Sequence, residues 1–168
     1  MKNAAFSLVE LMVTLAIISI LAGLGVPAYQ DYVRRAYVAE ALTLMEPLKH
    51  KVAENAATGT VLTSGITPPT PTKAVSSVEV GIAGTITAKF TPTYFNNNSY
   101  GITLTPFTNN GSPTAIVAPG GLTEIPTGSV HWACTASLPT GTGRTSTLMP
   151  FEYLPPSCQN RTFTDALP

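Results

Sequence analysis

The stretch FSLVELMVTLAIISILAGLGVPAY, residues 6–29, decides the fold of this chain. It is almost entirely apolar and carries a single charge, Glu10. About 20 consecutive apolar residues are what an α-helix needs to cross the hydrocarbon core of a bilayer. The sequence therefore predicts a membrane-spanning helix at the N-terminal end of the chain. An ordinary secretory signal peptide is the main alternative, but its apolar region usually has only about 7–15 residues.

Glu10 is the exception within the apolar run. An acidic side chain at the centre of a spanning helix costs about 2.5–3.5 kcal/mol on insertion scales. A cation would offset this cost, and cutting the chain between Ala5 and Phe6 would create one, the α-amino group of Phe6. An amine cannot easily reach a side chain four residues along its own helix. We therefore expect the amine and the carboxylate that pair to belong to different copies of the protein.

The residues in and around this run resemble those of the type IV pilins, most closely the major pilins of the IVa type. The resemblance is carried by a short leader with Lys2, by Phe6, Leu8 and Glu10, by the apolar run, and by PAYQDY at 27–32. Two positions depart from the pattern of the family. Ala5 stands where such leaders usually end in glycine, and Ser19 stands where a glycine is common.

The resemblance implies a role in a fibre. A prepilin peptidase would remove the leader, residues 1–5, and methylate the amine of Phe6. The helix would hold the precursor in the inner membrane and then form the core of an extracellular homopolymer, with Phe6, Glu10 and Pro27 as assembly residues. The implied partners are the assembly machinery and minor pilins. The implied use is attachment, twitching motility or DNA uptake.

Beyond residue 29, an amphipathic pattern continues the helix over residues 30–57, and Gly59 closes the helical composition. Apolar residues recur at spacings of three and four, as on one face of a helix: Tyr37, Ala41, Leu44, Leu48 and Val52. Glycine and proline are poor helix formers. The sequence therefore predicts a weak or kinked segment at residues 23–27 and a second kink before Pro47.

Residues 58–168 have the composition of a β-rich head. A proline-rich loop at 58–73 precedes four strand-like runs of alternating apolar residues, which favour half-buried antiparallel strands. These runs cover residues 77–81, 84–90, 100–106 and 129–136, and a short edge strand is expected at 114–117. The predicted fold class is α+β, with the long N-terminal helix packed on a four-stranded antiparallel sheet.

The chain has two cysteines, Cys134 and Cys158. An even number of cysteines in an exported chain indicates one disulfide formed in an oxidising compartment. The bond would bound the irregular loop 134–158, in which we expect little burial. The sequences GSVHWAC at 128–134 and YLPPSC at 153–158 also resemble the end of a IVa major pilin. This second match favours a pilin over a secretion-system pseudopilin.

No pattern in the sequence indicates catalysis, a metal site or a cofactor. His50 and His131 lack a second histidine or cysteine at ligand spacing, and the acidic residues of the head are isolated. Nine basic and nine acidic residues give a net charge of zero. There is therefore no global electrostatic argument for nucleic-acid binding, which stays open.

The sequence thus favours a major structural subunit of a type IV pilus over an enzyme. Two alternatives remain. In the first, the chain is a minor pilin or a type II secretion pseudopilin. In the second, its head is an adhesive or binding module displayed on a membrane anchor.

Overall fold

The computed structural model describes residues 7–109, 113–115, 129–137 and 149–159. The predicted cleavage site, residues 138–148 of the loop between the cysteines and the C-terminal tail lie outside these residues. The chain divides after Val33 into two units, residues 1–33 and 34–168.

One α-helix, α1, runs from Leu8 to Thr58 over 51 residues. It is helical throughout, including the segment from Gly23 to Pro27 and the turn around Pro47. The backbone is therefore helical through both sites, and the weakness or kink expected at each stays a prediction. A proline removes one backbone hydrogen bond of its own turn, and the neighbouring turns of this long helix keep theirs.

Gly59 ends α1, as the sequence suggested. Its φ of 66° places it in the left-handed region, which glycine adopts without steric cost. Its amide donates to the carbonyl of Ala56, and the amide of Thr60 donates to the carbonyl of Asn55 at 3.0 Å. This pair of bonds is the Schellman arrangement, which satisfies carbonyl groups that the last helical turn would leave without partners.

Within the second unit, α1 buries one face. The buried residues follow a spacing of three and four: Val38, Ala41, Met45, Leu48, Val52 and Ala56. The predicted stripe is thereby confirmed, with Tyr37 and Leu44 only partly buried at its borders. Asn55 is the buried polar side chain of this face, and its amide donates to the carbonyls of Leu62 and Ser64 at 3.1 and 2.8 Å.

The sheet is antiparallel throughout the described residues. Its strands are β1 (Val75–Val80), β2 (Ile86–Phe90), β3 (Gly101–Asn109), β4 (Pro113–Ala115) and β5 (Val130–Ser137). β3 lies centrally: it pairs with β2 and β4 along one edge and with β5 along the other. The four predicted strands are confirmed, and the expected edge strand is the short β4, which makes the sheet five-stranded.

The core lies between α1 and the sheet. The side chains that face inward alternate along the strands as predicted, for example Ile86, Ala88 and Phe90 of β2. Phe95, in the turn after β2, is 1% exposed and contacts four other rings, with centroids 5.0–6.4 Å away. The turn itself is made by Asn96 and Asn97, both at positive φ, a conformation that asparagine tolerates better than most residues.

Gly84 gives a test of how tightly the head is packed. Its φ is 73°, and an added Cβ would lie 2.9 Å from Leu62 Cδ1 and 3.0 Å from Val52 Cγ1. Gly84→Ala should lower the free energy of unfolding by about 2–5 kcal/mol, the sum of left-handed strain and overpacking. Gly65→Ala is the matched control, because Gly65 shares a positive φ but has only ordinary contact, 3.5 Å from Lys51. If the two variants lost equal free energies of unfolding in urea titrations, the claim that a Cβ at Gly84 overpacks the core would be wrong.

Tyr100 gives a test of the core under alkali. Burial raises the pKa of its phenol above the ordinary value of 10.0. Because the folded pKa is the higher one, the neutral phenol contributes full stability below the ordinary value, and this contribution is lost as the pH rises through the folded pKa. Tyr100→Phe should lose less stability than the parent between pH about 8 and about 11, measured as the urea midpoint. Identical profiles for Tyr100→Phe and the parent would refute the expectation.

Candidate assembly site

The N-terminal part of α1 exposes apolar side chains on every side. Each residue from 7 to 30 is exposed, and Leu8 and Leu24 are 74% and 75% exposed. Among the described residues, one helix, Leu8–Thr58, has a segment near the N-terminus that is long and apolar enough to cross a membrane. A helix that is hydrophobic all round is stable only when lipid or other protein covers it.

Two hydroxyl groups in this segment donate to carbonyls of the helix itself. Thr14 donates to the carbonyl of Leu11 at 2.9 Å, and Ser19 donates to the carbonyl of Leu15 at 2.8 Å. The carboxylate of Glu10 differs from them, because it has no hydrogen-bond or ion-pair partner among the residues that the structure describes. We therefore expect the carboxylate of Glu10 to pair with a group outside this segment.

The predicted assembly residues lie as follows. Glu10 is in the first turn of α1, where the helix dipole favours a negative charge, and Pro27 lies exposed within the helix. Ala5 and Phe6 lie outside the described residues. The pairing of Glu10 with an amine of Phe6, the cleavage and the methylation all stay predictions.

The second unit carries the predicted disulfide. Cys134 on β5 and Cys158 are bonded, with their Cα atoms 4.5 Å apart. The expectation that the loop between them buries little is wrong for its last part. Met149, Tyr153 and Leu154 are buried together with Cys158 in the main core, because apolar side chains stand between the prolines that prevent regular structure.

Two consecutive arginines of α1 hold this C-terminal segment, residues 149–159. The guanidinium of Arg34 donates to Tyr153 Oη and to Asn96 Oδ1, each at 2.9 Å, and lies 5.2 Å from the centre of the Tyr153 ring. Arg35 Nε donates to the carbonyl of Glu152 at 2.6 Å. No pattern in the sequence indicates these contacts, because the partners of the two arginines are 62–119 residues away.

A groove of about 440 Å³ lies between α1 and the C-terminal segment. Its lining includes Ala39, Leu42, Phe151 and Pro155, with Arg35 and Gln159 among its polar residues. Phe151 is 41% exposed. The groove is thus a partly apolar surface of the second unit.

The described residues offer little chemistry of other kinds. They contain no group of three histidine, cysteine or acidic residues that would hold a metal ion. The carboxylate of Glu79 has a lowered pKa, chiefly because Lys89 Nζ donates a 2.7 Å hydrogen bond to it. The two residues form a salt bridge between neighbouring strands, and this salt bridge explains the lowered pKa of Glu79 without a ligand.

The disulfide should contribute measurable stability. It joins residues 24 positions apart, and closing a loop of this size is worth roughly 3 kcal/mol on the chain-entropy model. The double variant Cys134→Ala/Cys158→Ala should lose about that much free energy of unfolding in urea titrations. Reductant should destabilise the parent similarly and leave the variant unchanged. A parent midpoint that does not respond to reductant would overturn this prediction.

Comparison with known proteins places these features in a family. Residues 34–159 match the model of the pilins, described as bacterial filament proteins, and residues 1–26 match the prokaryotic N-terminal methylation motif. The first match covers the whole described second unit, and the second covers most of the apolar segment.

Curated relatives agree over a shorter length. A fimbrial protein of Moraxella nonliquefaciens is 48% identical over 60 residues, which are 36% of this chain and 39% of the relative. The type IV major fimbrial protein FimA of Dichelobacter nodosus is 45% identical over 60 residues, 36% of this chain and 38% of the relative. The chain thus spans less than two thirds of the length of either relative.

The two family matches together cover residues 1–26 and 34–159, and the pilin model alone matches more than half of the chain. The fold agrees with them, since a long N-terminal helix packs on an antiparallel sheet with a C-terminal disulfide. Proteins of this family are structural subunits of filaments rather than enzymes. The chain therefore belongs to the pilin family and is a type IV pilin.

Proposed function

We propose that this protein is the major structural subunit of a type IV pilus, and that it polymerises through the N-terminal part of α1. One observation carries the proposal: the segment from Leu8 to Val26 is apolar on all sides and exposed on all sides. The second unit meanwhile has a buried core of its own. The apolar segment is therefore a surface for lipid in the precursor and for neighbouring helices in the fibre.

The exchange between these two environments requires little hydrophobic free energy. Lipid tails are about as apolar as leucine side chains, so packing and polar contacts decide whether spanning helices associate. Moving α1 from the inner membrane into a fibre core therefore leaves the apolar contribution nearly unchanged. Such a balance suits a fibre that motors extend and withdraw.

Glu10 would supply a specific interaction between subunits, which the apolar contacts alone do not provide. Cleavage between Ala5 and Phe6, followed by methylation, would leave a cationic amine at the start of the helix. The match of residues 1–26 to the methylation motif supports this processing. Removing one partner of a buried ion pair costs about 3–5 kcal/mol, so pairing Glu10 with the amine of another copy would fix the stagger between subunits.

The location and uses follow from the same proposal. The precursor would lie in the inner membrane, and the assembled subunit would lie in an extracellular pilus together with minor pilins added by the assembly machinery. The two relatives described above are named as fimbrial proteins, which supports a place in a surface fibre. Attachment, twitching motility and DNA uptake are the activities that such a fibre would serve.

Replacing Glu10 tests the proposal. Glu10→Ala should reduce sheared surface fibres at least about tenfold, since 1.4 kcal/mol already corresponds to a factor of ten and the unpaired amine costs more. The fibres are measured by electron microscopy and immunoblotting, against the amount of subunit in the membrane. N-terminal sequencing of the parent fibres should begin at a methylated Phe6.

Glu46→Ala is the matched control. Glu46 is also an exposed helical glutamate, but it already pairs with Lys49 at 2.9 Å, so the variant should form normal fibres. Normal piliation by Glu10→Ala would count against the assembly role. A parent protein that dominates no fibre preparation would indicate a minor pilin or a pseudopilin instead.

A further inference from the structure

Two tyrosines at the end of the apolar segment have no role in the head. Tyr29 and Tyr32 are 68% and 71% exposed. They lie three positions apart on α1, so they share one face of the helix. Tyr37 differs from them: its ring packs on Tyr94, with centroids 5.2 Å apart. The exposure of Tyr29 and Tyr32 is therefore not explained by packing within the second unit.

Tyrosine is suited to the boundary between lipid and water. Its ring is apolar and its hydroxyl is polar, and tyrosine is enriched at the level of the lipid headgroups on both sides of membranes. Two such rings on one helical face form a short belt. A belt of this kind indicates where the helix leaves the hydrocarbon region.

The length of the segment places the other boundary. The sequence has no charged residue between Glu10 and Asp31. From Glu10 to Tyr29 the helix rises nineteen residues, about 28 Å at 1.5 Å per residue, and the hydrocarbon core of a bilayer is about 30 Å thick. When Tyr29 lies at one headgroup layer, Glu10 therefore lies at the opposite one.

We propose that the precursor has a fixed register in the bilayer, with Tyr29 and Tyr32 in one headgroup layer and Glu10 at the other. The partner of this surface is phospholipid, and the inference rests on the proposed membrane-anchored precursor. The register keeps the carboxylate of Glu10 within reach of water in the membrane. Glu10 then becomes buried only when the subunit enters the fibre, where another copy's amine is present.

Fluorescence quenching in vesicles tests the register. The full-length chain carries one tryptophan, Trp132, and Trp132→Phe gives a background without indole. Tyr29→Trp, Tyr32→Trp and Ile18→Trp are then reconstituted one at a time in phosphatidylglycerol–phosphatidylcholine vesicles. The vesicles contain lipids brominated either near the headgroup end of the acyl chain or near its methyl end.

The ratio of shallow to deep quenching should exceed one at positions 29 and 32 and fall below one at position 18. A deeper indole at position 29 than at position 18, or equal depths at both positions, overturns the register but keeps the membrane anchor. The absence of quenching at all three positions refutes the anchored precursor itself. The failure of this inference is thereby distinguished from the failure of the proposed function.

Discussion

The structure depends on one constraint: the N-terminal part of α1 has an apolar surface that is unfavourable in contact with water. From Leu8 to Val26, α1 presents leucine, isoleucine, valine and methionine on all sides. In solution this surface would cost about 25 cal/mol for each square ångström exposed. This apolar surface is therefore stable only when a bilayer or other apolar helices cover it.

The second unit completes its own core. The fully buried residues of α1 begin at Val38, and they join the inward faces of the strands and the ring of Phe95 in that core. The N-terminal part of α1 is thus exposed, whereas its C-terminal part is buried along one face. Its burial pattern changes from uniformly exposed to periodic, although the backbone remains helical across the change.

Features that depend on local composition could be predicted from the sequence. The apolar run, the amphipathic spacing, the end of α1 at Gly59 and the alternation of the strands all reflect rules that act over a few residues. The disulfide followed from the number of cysteines and the expectation of export. The kinks expected at residues 23–27 and before Pro47 stay predictions, since the backbone is helical at both sites and a bend does not require a break in the helix.

Contacts between distant segments could not be predicted in this way. Nothing near Arg34 in the sequence indicates that its guanidinium meets Tyr153 and Asn96. Nothing near Gly84 indicates that a Cβ added there would meet three side chains. These contacts arise from the path of the chain through the turn and past the sheet. Glu10 is a mixed case: its charge within an apolar run is visible in the sequence, whereas the amine that we propose as its partner would belong to another copy of the protein.

The double attachment of the C-terminal segment has a mechanical consequence. Arg34 and Arg35 join it to α1 by polar contacts, and Cys158 joins it to β5 by a covalent bond. A pulling force along a fibre acts on every subunit, and the polar contacts are the weaker of the two attachments. If tension breaks them, the segment stays tethered to β5, so the contacts with α1 can form again when the load is released.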